Sequence, residues 1–192
     1  MNYILLPSLL LGVIGVGVGI MLSLAHKAFF VETSELQQRI RAALPGANCG
    51  ACGYAGCDGL AEAISKGIAP ANSCPVGGEN AAEAIASILG IEVSSVQETK
   101  LIFLCSGDKD KVSRKFEYTG VEDCSARLIL WNGEISCQYG CLGGGTCVKS
   151  CPFSALSMGE NGLPVIDYLK CKTCGICVQV CPRHLFALVP EN

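Results

Sequence analysis

The sequence predicts an α+β chain in four parts: an N-terminal transmembrane helix (1–28), a small helical module (29–90), a linker (91–134) and a C-terminal domain of duplicated short strands (135–192). Three observations carry this expectation. The first residues form an uncharged apolar run, fourteen cysteines are gathered into clusters along 192 residues, and the last sixty residues repeat themselves at a shift of thirty.

Cysteine at that density arises in secreted disulfide scaffolds or in reduced compartments where thiolates hold metal, and spacing decides between them. Only two histidines accompany the fourteen cysteines. The formal net charge of −3 leaves no basic field of the kind that collects phosphates, which argues against a nucleic-acid partner.

From Ile4 to Ala25 there is no charged residue, and at about 1.5 Å per residue such a helix spans a hydrocarbon core of roughly 30 Å. A cleaved signal peptide is the competing reading, but no Lys or Arg precedes the run and no small-residue cleavage site follows it. His26 and Lys27 follow the span, so the positive-inside bias predicts a single-pass protein whose C-terminal bulk is cytoplasmic. Gly15 and Gly19 form a small-xxx-small pair that admits a neighbouring helix, although glycine is common in membrane helices in any case.

Residues 32–44 predict a short amphipathic helix capped by Thr33 or Ser34 and stopped at Pro45-Gly46. Residues 58–66 and 79–89 predict two more helices, ending at Gly67 and Gly90. In the linker, Lys100–Cys105 fits a strand and Cys124–Trp131 fits either helix or strand. Glu160-Asn161-Gly162 is a turn signal between strands at 155–158 and 164–166, and 185–189 is the strand that repeats 155–158.

The repeat sets Cys141 on Cys171, Cys147 on Cys177 and Cys151-Pro152 on Cys181-Pro182. Cys171, Cys174, Cys177 and Cys181-Pro182 have the spacing by which bacterial ferredoxins hold cubane clusters, where three thiolates wrap one cube and the fourth reaches the other. One cluster is therefore expected on Cys151, Cys171, Cys174 and Cys177. The other takes Cys181, Cys141 and Cys147, but Gly144 stands where the repeat calls for a middle cysteine; Cys137, which has no counterpart in the second half, is expected to supply the missing thiolate. A third site is expected on Cys49, Cys52, Cys57 and Cys74, with small residues that let the backbone fold around a cube. Zinc is the alternative occupant at each site. Cys105 and Cys124 fit buried small apolar residues, or else partners of Cys137 and Cys141 in a rearranged site.

No P-loop, Ser-His-Asp pattern or flavin fingerprint is present, so an electron carrier without substrate chemistry of its own is expected. The fold class is thus a transmembrane helix, a helical 4Fe-4S module, a linker and a two-cluster bacterial-ferredoxin-like domain, holding three [4Fe-4S] clusters.

Residues 48–64 (NCGACGYAGCDGLAEAI), 114–124 (RKFEYTGVEDC) and 137–156 (CQYGCLGGGTCVKSCPFSAL), together with the anchor, resemble the B subunit of the Rnf-type ion-translocating electron transport complex. The resemblance implies cluster binding by the twelve cysteines assigned above. It further implies reduced soluble ferredoxin as donor, partner subunits that carry flavin and nicotinamide chemistry, a location in the cell membrane, and coupling to Na⁺ or H⁺ movement. A relative with the same layout that reduces a redox-sensing regulator is an alternative use, as is a tethered metal-binding module that carries no current.

Overall fold

The computed structural model describes residues 2–29, 34–92 and 97–191. The expected cap at Thr33 lies outside them. Contacts divide the chain into two units, residues 1–35 and 36–192.

In the first unit, α1 (Asn2–Phe29) is a single helix. Its stretch Ser8–Lys27 has a mean hydropathy of 2.3 and none of it is buried, so it is long and apolar enough to cross a membrane.

The second unit opens with three helices: α2 (Glu35–Ala43), α3 (Gly56–Ser65) and α4 (Gly78–Leu89). Ile40, Leu60, Ile64 and Ile85 meet in one core, and burial of each such side chain is worth about 1.5–3 kcal/mol. Gly90 ends α4 in the left-handed region at φ 67°, where glycine carries no Cβ penalty. The helices of this module thus start and stop within a few residues of their expected positions.

The remainder is built on two antiparallel strand pairs. β1 (Thr99–Phe103) pairs with β4 (Phe186–Pro190), in register from Thr99↔Pro190 to Phe103↔Phe186. β2 (Leu156–Met158) pairs with β3 (Pro164–Ile166) across the expected turn, where Gly162 at φ 81° closes a bond from its N–H to the Gly159 carbonyl at 2.9 Å. Leu101, Leu156 and Phe186 form the core under both pairs, with the Phe103 and Phe186 rings 5.0 Å apart.

The segment expected as a linker is therefore part of the two-cluster domain. In the second half of the repeat, four residues (167–170) join β3 to Cys171; in the first half, residues 104–140 join β1 to Cys141. This insertion carries α5 (Cys124–Ile129), which settles the ambiguous segment as helix. Its two arms meet where the Lys115 N–H bonds the Glu134 carbonyl at 2.7 Å and the Ser136 N–H bonds the Ser113 carbonyl at 2.8 Å.

Candidate iron-sulfur centres

The repeat is legible in the backbone. α6 (Thr146–Lys149) and α7 (Ile176–Val180) are each preceded by a left-handed glycine, Gly145 at φ 69° and Gly175 at φ 79°. Two residues earlier Gly143 and Thr173 are also left-handed, at φ 67° and 47°. A β-branched residue with positive φ is a genuine outlier, and its place in a thiolate-bearing loop marks a functional constraint. After each Cys-Pro pair comes another matched position, Ser154 and His184, both at φ 50°.

These turns point backbone donors at sulfur. The Ala155 N–H lies 3.4 Å from Cys151 Sγ and the Leu185 N–H 3.4 Å from Cys181 Sγ. In the helical module the Gly77 N–H lies 3.3 Å from Cys74 Sγ. All three cysteines that precede proline therefore receive an amide dipole, which stabilises a thiolate and tunes any cluster bound to it.

Two cavities flank α6 and α7. One is lined by Cys151, Cys171, Cys174 and Cys177 together with apolar Leu101, Phe153 and Leu156. The four expected thiols thus converge, with Cys151 reaching across from the first half. The other is lined by Cys141, Cys147 and Cys181 with Phe103, Leu142, Met158 and Phe186. Its fourth thiol is Cys124, and Cys137 is not among its lining residues. The Cys137 sulfur instead faces its own loop, where a Cβ placed on Gly140 would sit 3.4 Å from it. Arg183 holds that loop through the carbonyls of Cys137 at 2.8 Å and Gly140 at 2.6 Å. Cys105 accepts the Cys141 N–H on its sulfur at 3.4 Å from outside the cavity lining.

Burial dominates the electrostatics of these thiols. It pushes the Cys141 thiol up to about 11, with Cys124, Cys105 and Cys181 adding like charge. Cys147 is pushed up to about 12 by burial and then by Cys124, Cys141 and Cys181. Cys177 rises to about 11 by burial, with Cys174 and Cys171 contributing. Such thiols are inert as nucleophiles, and metal must displace their protons.

In the helical module, the loop 48–56 turns through left-handed residues at Asn48, Gly50, Gly53 and Gly56. Asn48 Oδ1 accepts the Cys57 N–H at 2.9 Å and ties the loop to the start of α3. Cys52, Cys57 and Cys74 pack on the same core, and the Cys74 thiol is raised by burial and then by Cys57 and Cys52. Burial raises the Cys174 thiol, with Cys49 among the smaller causes; Cys52 and Cys171 line one pocket, so the first cysteine set adjoins the Cys151–Cys177 set.

Converging thiols in apolar, amide-lined cavities suit iron-sulfur cubes. The fold and its sites define a multi-centre iron-sulfur protein with a ferredoxin-type domain and an apolar N-terminal helix.

Comparison with known proteins agrees. Residues 44–76 match a family described as "Putative Fe-S cluster" and residues 136–185 match a 4Fe-4S dicluster domain. The chain is 46% identical over 191 residues to the B subunit of the Na(+)-translocating ferredoxin:NAD(+) oxidoreductase complex of Acetobacterium woodii, covering 100% of this chain and 57% of that protein. It is 44% identical over 175 residues to the B subunit of the ion-translocating oxidoreductase complex of Methanosarcina acetivorans, covering 91% and 66%. A proton-translocating counterpart in Clostridium ljungdahlii is 40% identical over 168 residues, covering 87% and 59%. The chain is thus similar to B subunits of ion-translocating oxidoreductase complexes, and it spans 57 to 66% of the length of these three relatives.

Proposed function

We propose that this chain is the iron-sulfur relay of a membrane-bound ferredoxin:NAD oxidoreductase complex, taking electrons from reduced ferredoxin and delivering them to flavin- and NAD-carrying partner subunits while Na⁺ or H⁺ is moved. Three [4Fe-4S] cubes are assigned, one to each cysteine set, and when bound they supply one-electron redox chemistry. The chain itself supplies spacing, amide dipoles and apolar shielding.

The observation that carries this reading is the adjacency of the three sets. Cys52 and Cys171 line one pocket, and the Cys151–Cys177 and Cys141–Cys181 cavities share the core of one small domain. That arrangement supports the order Cys49–Cys74, Cys151–Cys177, Cys141–Cys181, as a relay requires and an isolated structural metal does not. The apolar helix α1 supports a single-pass anchor in the cell membrane. His26 and Lys27 at its end support a cytoplasmic position for the cysteine modules. The relatives' names specify different coupling ions, Na⁺ in one and protons in another, so the ion is assigned only to that pair.

The test is anaerobic mixing of the purified full-length chain with reduced ferredoxin. Rapid bleaching of iron-sulfur absorbance in the chain, saturating with ferredoxin concentration, is the expected result. A chain that carries iron and sulfide yet stays oxidised with reduced ferredoxin would overturn the assignment of donor.

A further inference from the structure

Gly144 leaves the thirty-residue repeat one thiol short, because its counterpart in the second half is Cys174. We propose that Cys124, carried in on α5 from outside the repeat, is the fourth thiolate of the first-half cluster, in the set Cys124, Cys141, Cys147 and Cys181. The proposal rests on the reading that this cavity binds a cube.

Geometry places the Cys124 sulfur where the repeat's missing one would be. A Cβ built on Gly144 would lie 3.1 Å from Cys124 Sγ, 2.9 Å from the Cys124 nitrogen and 3.0 Å from the Asp123 carbonyl carbon. The start of α5 thus occupies the space that a side chain at 144 would need. A side chain at 144 and the start of α5 cannot both occupy that space.

The approach is held from several sides. Asp123 caps α5 by accepting the Ser125 and Ala126 N–H groups at 2.8 and 3.1 Å. The Thr146 hydroxyl donates to the other oxygen of Asp123 at 2.9 Å and accepts the Cys124 N–H at 2.7 Å. Thr146 is the residue before Cys147, so its side chain ties the start of α5 to the start of α6. Further along α5, Arg127 forms a buried ion pair with Glu134, which is 1% exposed, and donates to the Leu142 carbonyl at 3.2 Å beside Cys141. A ligand role for Cys137 would leave Cys124 as a surplus thiol inside the cavity, while the Cys137 loop is pinned with its sulfur over Gly140.

The experiment uses the full-length chain purified without oxygen. Alkylation of the loaded chain with iodoacetamide, followed by mass spectrometry, should label Cys137 and spare Cys124 until iron is stripped. In parallel, Cys124→Ser should lose or transform one EPR signal in a redox titration and keep the others, whereas Cys137→Ser should keep them all. Labelling of Cys124 in the loaded chain, an unchanged Cys124→Ser spectrum, or loss of a signal in Cys137→Ser overturns the proposal. If Cys124→Ser does not accumulate, the labelling of the unaltered chain decides alone. Absence of acid-labile sulfide from the unaltered chain would instead sink the parent reading of a cube in this cavity.

Discussion

Asp123 joins two tasks in one carboxylate: it caps α5 and grips Thr146. The Ala126 N–H and then the Thr146 hydroxyl hold it below the usual aspartate range. A depressed carboxylate contributes stability above its unfolded pKa and loses it as pH falls through the folded one. Asp123→Ala should therefore lower the thermal midpoint of the loaded chain at neutral pH, while Asp123→Asn, whose amide oxygen also caps a helix, should retain most of it. Differential scanning fluorimetry under nitrogen distinguishes the two. The buried thiols give a second expectation. With Cys147 pushed up to about 12 and Cys141 to about 11, these thiols keep their protons at neutral pH in the cluster-free chain. Cluster assembly must release those protons, so reconstitution should grow more favourable from about pH 7 to pH 9. Proton release into weak buffer during anaerobic reconstitution measures it.

At this scale the cysteines that stand in register were legible from spacing and repeat. Cys137 was expected beside Cys141 because it lies four residues from it along the chain, whereas the cavity of Cys141, Cys147 and Cys181 is lined by Cys124 and not by Cys137. Sequence spacing says nothing of a thiol carried in from outside the repeat; the signals that point to one are the gap at Gly144 and an unmatched cysteine directly after Asp123, a strong cap.

Among the elements, α5 and its ion pair decide whether the first-half cavity keeps its shape. Glu134→Ala would strand the Arg127 charge in the interior, a change that costs about 3–5 kcal/mol. It should cost the chain its first-half cluster before the others, seen as selective loss of one EPR signal on mild heating. In the helical module, Ile85 is completely buried against Ile40 and Leu60, and Ile85→Ala should cost about 2–5 kcal/mol in chemical unfolding. Helices α2 to α4 were legible because glycine stops and apolar spacing coincide there. The strand at 99–103 was also legible, but its partner was not. Pairing with β4 joins residues some ninety positions apart, and periodicity carries no information about such distant registers. For that reason the segment read as a linker turned out to close the two-cluster domain.

Across the whole molecule, the order of the cysteine sets makes a prediction of its own. Because Cys52 and Cys171 line one pocket, the centres proposed on their two sets should be magnetically coupled when both are reduced. Simultaneous reduction should broaden or split the EPR spectrum, and Cys49→Ser should simplify it to the spectra of the remaining two. The apolar helix belongs to the same scale: a chain beginning at residue 34 should move from the membrane fraction to the soluble one.

Three sets of thiolates that each hold a four-iron cube are tested most directly by counting iron and acid-labile sulfide per chain in the anaerobically purified 192-residue polypeptide. About twelve of each are expected. Zinc in place of iron, or iron without sulfide, would contradict that expectation.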